Sequence, residues 1–216
     1  MKNSIPQSSL WIYLAVILLS FNGGYINAAM LISFLHNPVG YVTGNITYAG
    51  TYFAKHDYIM FIDMLMLVVA FVIGSIISGL IIKNGFYNKD YRYRTNLFLQ
   101  LVLISIAFYL LSNNSKYCEY FLAMTMGLQN AMTTHYGSTL IRTTHMTGTA
   151  TDLGILLAHW IKRKNIAIWK IRLYILLILS FLLGSIVGAV IFINYQEKAL
   201  FTSMAIYLIM ILLSRK

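Results

Sequence analysis

The sequence predicts an all-α integral membrane protein made of two inverted-topology repeats, with about six spans and two short re-entrant or broken helices. Three observations predict this. First, 59% of the 216 residues are hydrophobic and only 10% are charged, against roughly 25% charged in an ordinary soluble domain. Mean hydropathy is +0.71, so too few polar side chains remain to cover a water-facing surface. Second, no Asp, Glu, Lys or Arg occurs from Asn3 to Ala54. Third, a set of short motifs occurs twice in the same order, once in each half.

The spans follow from lengths of charge-poor sequence, since a helix needs about 20 apolar residues to cross a bilayer. Leu10 to Met30, Met64 to Ile82, Thr95 to Leu111, Tyr120 to Ile141 and Leu173 to Ile193 qualify, and Ala199 to Ser214 is a shorter sixth. Tyr41 to Ala54 is too short to span, and His145 to Ile161 carries Asp152 and His159; these are the two re-entrant candidates. Lys2 ahead of Leu10 to Leu19 imitates a signal peptide, but the residues just beyond it recur later, which argues against cleavage. The longest hydrophilic loop, Lys83 to Arg94, is too short for a soluble domain. A lone Cys118 permits neither an intrachain disulfide nor a cysteine metal site.

Gly24-Tyr25-Ile26-Asn27-Ala28 returns as Gly127-Leu128-Gln129-Asn130-Ala131, and Thr43-Gly44-Asn45-Ile46-Thr47 returns as Thr147-Gly148-Thr149-Ala150-Thr151. Phe71-Val72-Ile73-Gly74-Ser75-Ile76 is matched by Phe181-Leu182-Leu183-Gly184-Ser185-Ile186, and Leu97-Phe98 by Leu200-Phe201. The chain therefore divides into a first membrane repeat, 1–112, and a second, 113–216. If both Thr-Gly segments enter and leave on one face, the 16 Lys and Arg residues split 13 to 3 across the bilayer. If all eight segments cross, the split is 10 to 6. The positive-inside rule favours the first arrangement, with both termini and the 13 bases in the cytoplasm. Three spans per half is odd, so the halves face opposite ways, as in secondary transporters with a site at the midplane. The net charge of +10 then reflects anchoring beside anionic lipid rather than nucleic acid.

A short helix that starts inside the membrane presents unpaired N–H groups and a positive dipole end, which suits an anionic or hydroxylated solute. The candidate solute site is Asn27, Thr43, Gly44, Asn45, Asn130, Thr147, Gly148 and Thr149. The same glycines also fit close helix packing. Asn27 and Asn130 either coordinate solute or satisfy backbone groups freed beside the helix-weakening glycines. Asp152 is a candidate proton or ion relay with His145, His135 being another possible partner, because an ionised carboxylate inside a membrane is costly unless paired or hydrated; an Asp held at the interface is the other reading. Asp63 reads as interfacial. Arg142, near the second Thr-Gly segment, either attracts an anion or marks orientation. No zinc-protease, nucleophile-elbow or phosphate-loop motif is present, so neither enzyme activity, nor a cofactor, nor a metal is expected.

These four glycine and Thr-Gly motifs, in order and at this spacing, resemble the YoaK-like family of bacterial multi-span membrane proteins, a domain-of-unknown-function family. The resemblance covers nearly the whole chain and implies a small multi-pass protein of the bacterial cytoplasmic (inner) membrane. It implies no substrate. In that family the first motif usually carries Asp where this chain has Asn27, which shifts any proton coupling toward Asp152. The functional expectation is a small secondary transporter or permease for a polar or anionic solute, working by alternating access, with the lipid bilayer and a small-molecule solute as its partners. The alternative is a membrane partner or scaffold that transports nothing.

Overall fold

A computed structural model describes residues 10–82, 91–134, 142–163 and 168–214, with side chains from residue 13 onward. The expectations placed on Lys2, His135, residues 83–90, residues 164–167, the last residues of the Tyr120 to Ile141 span and the two C-terminal bases lie outside the described residues. The described residues form helices α1 (Leu10–Ile32), α2 (Val42–Ala54), α3 (Tyr58–Ile81), α4 (Tyr91–Ser112), α5 (Cys118–Thr134), α6 (Met146–Ile161), α7 (Ile168–Tyr195) and α8 (Leu200–Leu213), with a 3-10 turn, Gln196–Ala199, before the last. No strand occurs among them.

Among the described residues four stretches are long and apolar enough to cross a membrane: Tyr13–Ile32, Tyr58–Ile81, Tyr91–Ser112 and Ile168–Leu213, the last containing both α7 and α8. The 13 residues of α2 and the 16 of α6 give lengths of about 20 and 24 Å at 1.5 Å per residue, short of a hydrocarbon core of about 30 Å. Three helix boundaries show local capping. At the end of α2, His56 takes a left-handed conformation with φ 59°. The His56 N–H then reaches Phe53 O and the Asp57 N–H reaches Tyr52 O, both at 3.0 Å, which together satisfy otherwise orphaned carbonyls. Asp57 in turn caps α3 by accepting from the Met60 N–H at 3.1 Å. Asn114, with φ 53°, closes α4 the same way.

The helices of the two halves exchange partners. α1 packs along α7 and α5 along α3; the weaker contacts pair likewise, α2 with α3 and α6 with α7, α4 with α5 and α8 with α1. Small residues make the crossings. A Cβ on Gly24 would stand 2.1 Å from the Phe181 carbonyl oxygen, and one on Gly127 would stand 2.0 Å from that of Phe71. Gly184 and Gly74 return the contact, each 2.0 Å from a carbonyl oxygen, of Phe21 and Met124 respectively. Ser185 Oγ donates to Gly24 O at 3.3 Å and Ser75 Oγ to Gly127 O at 3.2 Å. Backbones in such contact gain dispersion and weak polar contacts that a bilayer cannot replace.

The exchange puts α1 and α5 at the centre, where Tyr25, Ile26, Met126 and Leu128 are buried. The outer faces of α3 and α7 expose equivalent apolar side chains: Val72 and Ile76 on one, Leu182 and Ile186 on the other. In water these faces would be a liability; against acyl chains they are at home. Buried polar side chains are mostly matched, as when Tyr207 donates to Gln129 Oε1 at 3.0 Å while Gln129 Nε2 donates to Leu19 O and Thr143 Oγ1, both at 2.9 Å.

Candidate functional site

The glycine crossings set the position of the two asparagines. Asn27 lies three residues beyond Gly24, and its Oδ1 accepts the Gly40 N–H at 2.7 Å. Asn130 lies three residues beyond Gly127, and its Oδ1 accepts the Thr144 N–H at 3.1 Å. Asn130 Nδ2 further donates to Thr144 Oγ1 at 2.5 Å and to Met126 O at 3.0 Å. Both asparagines are buried. Each thus clasps the segment that leads into the short helix of its own half, Gly40 before α2 and Thr144 before α6.

The next residues, Tyr41 and His145, are the N-caps of α2 and α6, and neither helix has a side-chain capping hydrogen bond. Their rings fold back over the Thr-Gly motifs. A Cβ on Gly44 would stand 1.9 Å from the Tyr41 ring, and one on Gly148 would stand 2.8 Å from His145 Cε1. A side chain at either place would have to push the ring aside. The uncapped first turns keep N–H groups without helical partners and carry partial positive charge.

Both first turns open on one cavity of about 610 Å³. Its lining comes in equivalent pairs: Asn27 with Asn130, Tyr41 with His145, Thr43 with Thr147, and Phe71 with Phe181. Arg142 also lines it, and among the described residues no Asp or Glu does. The Arg142 guanidinium lies 3.4 Å from His145 Nδ1; since arginine can only donate, Nδ1 is the acceptor. The cavity is therefore hydroxyl- and amide-lined, walled by two phenylalanines, and electropositive at its α6 side.

Of the residues singled out from sequence, Asn27, Thr43, Asn130, His145 and Thr147 meet in this cavity, while Gly44 and Gly148 lie beneath the rings beside it. Asn45 and Thr149 do not line it. Asn45 is 1% exposed and neither amide atom has a partner; Thr149 Oγ1 donates back to His145 O at 3.0 Å. Asp152 is exposed on α6, facing Tyr174 of α7. Sequence reasoning did not pick out the phenylalanine walls, although Phe71 and Phe181 head a repeated motif, nor the rings that cover the glycines.

It also missed a second polar cluster. Glu119, in the first turn of α5, is buried and accepts from Asn37 Nδ2 at 3.1 Å. Asp63 pairs with Lys116 at 3.2 Å and accepts from the Tyr120 hydroxyl. Through Asn37 this cluster also holds the α1–α2 loop. Among the described residues no group of three or more His, Cys, Asp or Glu side chains is placed to hold a metal ion.

Compared with known proteins, residues 15–213 match a family described as "Protein of unknown function (DUF1275)". No curated protein and no solved structure matches the chain. The match supports an uncharacterised family over nearly the whole chain; the YoaK-like assignment is narrower than it.

Proposed function

The chain belongs to this family of proteins of unknown function, DUF1275, and from that premise we propose that it is a small secondary transporter or permease for a polar or anionic small solute. The observation that carries the reading is the cavity lined by equivalent residues of both halves at the uncapped starts of two helices too short to span. Two halves that face opposite ways in the bilayer can exchange conformations, and a site on their common axis is then offered to each side in turn. Asn27 and Asn130, by clasping Gly40 and Thr144, couple the central helices to the short ones, so a shift of α1 against α7 or of α5 against α3 is felt at the cavity. In this reading six spans and two re-entrant helices place both termini in the cytoplasm, the chain sits in a bacterial inner membrane as a YoaK-like protein, and it carries out no covalent chemistry.

Crosslinking tests the shared cavity. With Cys118 buried and replaced by serine, Thr43→Cys and Thr147→Cys should be bridged within one chain by a short bifunctional reagent, and a bound solute should protect both. Failure to bridge, or bridging only between chains, removes the common site. Topology is tested separately. Cysteines replacing Tyr91 and Lys162 should both be shielded from an impermeant thiol reagent in intact cells, and one replacing Tyr117 should be labelled. Labelling of only one of the first two would remove the inversion.

A further inference from the structure

Resting on that reading, we infer that the cavity takes an organic monocarboxylate with an apolar body, its carboxylate held by Arg142 and the first turn of α6. The charge count limits the ligand first. Arg142 is the lone Lys or Arg among the described residues lining the cavity, no carboxylate lines it, and among the described residues no carboxylate pairs with Arg142. One fixed cation, assisted by the positive ends of two helices, balances a single negative charge. A dianion would carry into the cavity a second charge with no cation to meet it, at a desolvation cost.

The donor geometry selects carboxylate. A guanidinium offers parallel N–H groups that match the two oxygens of a carboxylate. One terminal nitrogen leans on His145 Nδ1 at 3.4 Å, which orients the fork and leaves other N–H groups for a ligand. Thr147, two residues beyond His145, also lines the cavity with a side chain that carries a hydroxyl.

The rest of the cavity selects the body. A volume of about 610 Å³ falls in the range of organic-ligand pockets, roughly 300 to 1,000 Å³, and far exceeds an inorganic anion. Its walls include Phe71, Phe181, Val42 and Met146, which favour burial of hydrocarbon. Tyr41 and Thr43 close the α2 side without charge, so the ligand has one anionic end and one neutral end.

Thermal unfolding of the purified full-length chain in detergent tests this with benzoate and isovalerate as carboxylate probes, benzamide as the neutral isostere and inorganic phosphate as the anion without a body. Benzamide also controls for partition into micelles. At least one carboxylate should raise Tm in a saturable way, and benzamide and phosphate should not. Arg142→Gln, a change at an exposed side chain, should leave the unliganded Tm unchanged and weaken the carboxylate by roughly ten-fold or more, the usual loss of a charge-assisted hydrogen bond. Arg142→Lys should retain part of the binding, as a point charge without the fork. No shift with either carboxylate overturns the inference. So does an equal shift with benzamide, a shift with phosphate alone, or full carboxylate binding by Arg142→Gln. Binding without flux into proteoliposomes would retire transport and keep this ligand class; flux of neutral solutes alone would do the reverse.

Discussion

The approaches to α2 and α6 are built to one plan and finished differently. In both, an asparagine of a central helix clasps the incoming segment, a ring caps the helix, and a glycine makes room for that ring. The α2 approach is neutral: Gly40, Tyr41, Val42. The α6 approach is basic and more tightly pinned. Asn130 makes two hydrogen bonds to its segment where Asn27 makes one, and Thr143 O additionally accepts from Ser20 Oγ at 3.1 Å. Duplication thus supplies the frame of the cavity, and divergence supplies its polarity. One side is cationic; the other is neutral, closed by a half-exposed Tyr41.

The largest effects should fall on the parts the halves share equally. Gly24→Val and Gly127→Val each drive a branched side chain into a carbonyl oxygen about 2 Å from the new Cβ. Overpacking typically costs about 1–3 kcal/mol, and more where the obstacle is backbone that cannot turn aside. Both variants should lose the folded, monodisperse protein on size-exclusion chromatography to the same extent. A chain that tolerates one and not the other would show that the two crossings are not equivalent in strength.

The asparagines should separate the halves. Asn130→Ala strands the Thr144 N–H and hydroxyl, whereas Asn27→Ala strands the Gly40 N–H alone. An unmade buried hydrogen bond costs about 1–3 kcal/mol, so both should lower Tm, Asn130→Ala by more. Equal losses would mean that the extra bonds of the α6 approach contribute nothing.

A finer contrast lies in the glycines beneath the rings. Alanine is the better helix former by about 1 kcal/mol, and the displaced group is a side chain with an exposed edge, so Gly44→Ala and Gly148→Ala should each change stability by less than about 1 kcal/mol. Their effects on the cavity should differ. Gly148→Ala pushes the His145 ring, and with it the support of Arg142, and should weaken benzoate binding; Gly44→Ala pushes Tyr41 and should leave it within two-fold. Equal weakening would assign both rings to the ligand.

How much of this was legible depends on whether a feature is carried by repetition or by rotation. Asn27, Asn130, Thr43 and Thr147 were readable together because they hold equivalent positions in motifs that occur twice, and all four line one cavity. The partner exchange was not readable, since the repeat does not say whether α1 lies on α3 or on α7; backbone contact at Gly24 and Phe181 decides it. Helical spacing placed Asn45, Thr149 and Asp152 on a face with Tyr41 and His145, yet which part of that face turns inward depends on how α2 seats on α3 and α6 on α7. The seating buries Asn45 and Thr149 and exposes Asp152. Glu119 looked unremarkable in sequence because its partner Asn37 is 82 residues away. The neutral character of one approach and the basic character of the other were in plain view as Gly40-Tyr41 against Arg142, but only the cavity gives that difference a consequence.

The smallest effect is expected at Asp152, and it sharpens the comparison from outside the cavity. In the common register Asp152 corresponds to Tyr48 of α2, and both side chains are exposed, so neither position is built into the shared frame. An exposed substitution away from caps and buried networks usually changes stability by no more than about 0.5 kcal/mol. Asp152→Asn keeps the size of the side chain and removes its charge, and the contact with Tyr174 can persist through the amide oxygen. Tm and benzoate affinity should therefore match those of the native chain at every pH examined between 5 and 8, a range chosen to bracket histidine titration (~6.5). If the native chain showed pH-dependent binding that Asp152→Asn abolished, the carboxylate would be acting on the α6 approach across the helix, and the basic half would hold a proton-linked group for which the neutral half has no counterpart.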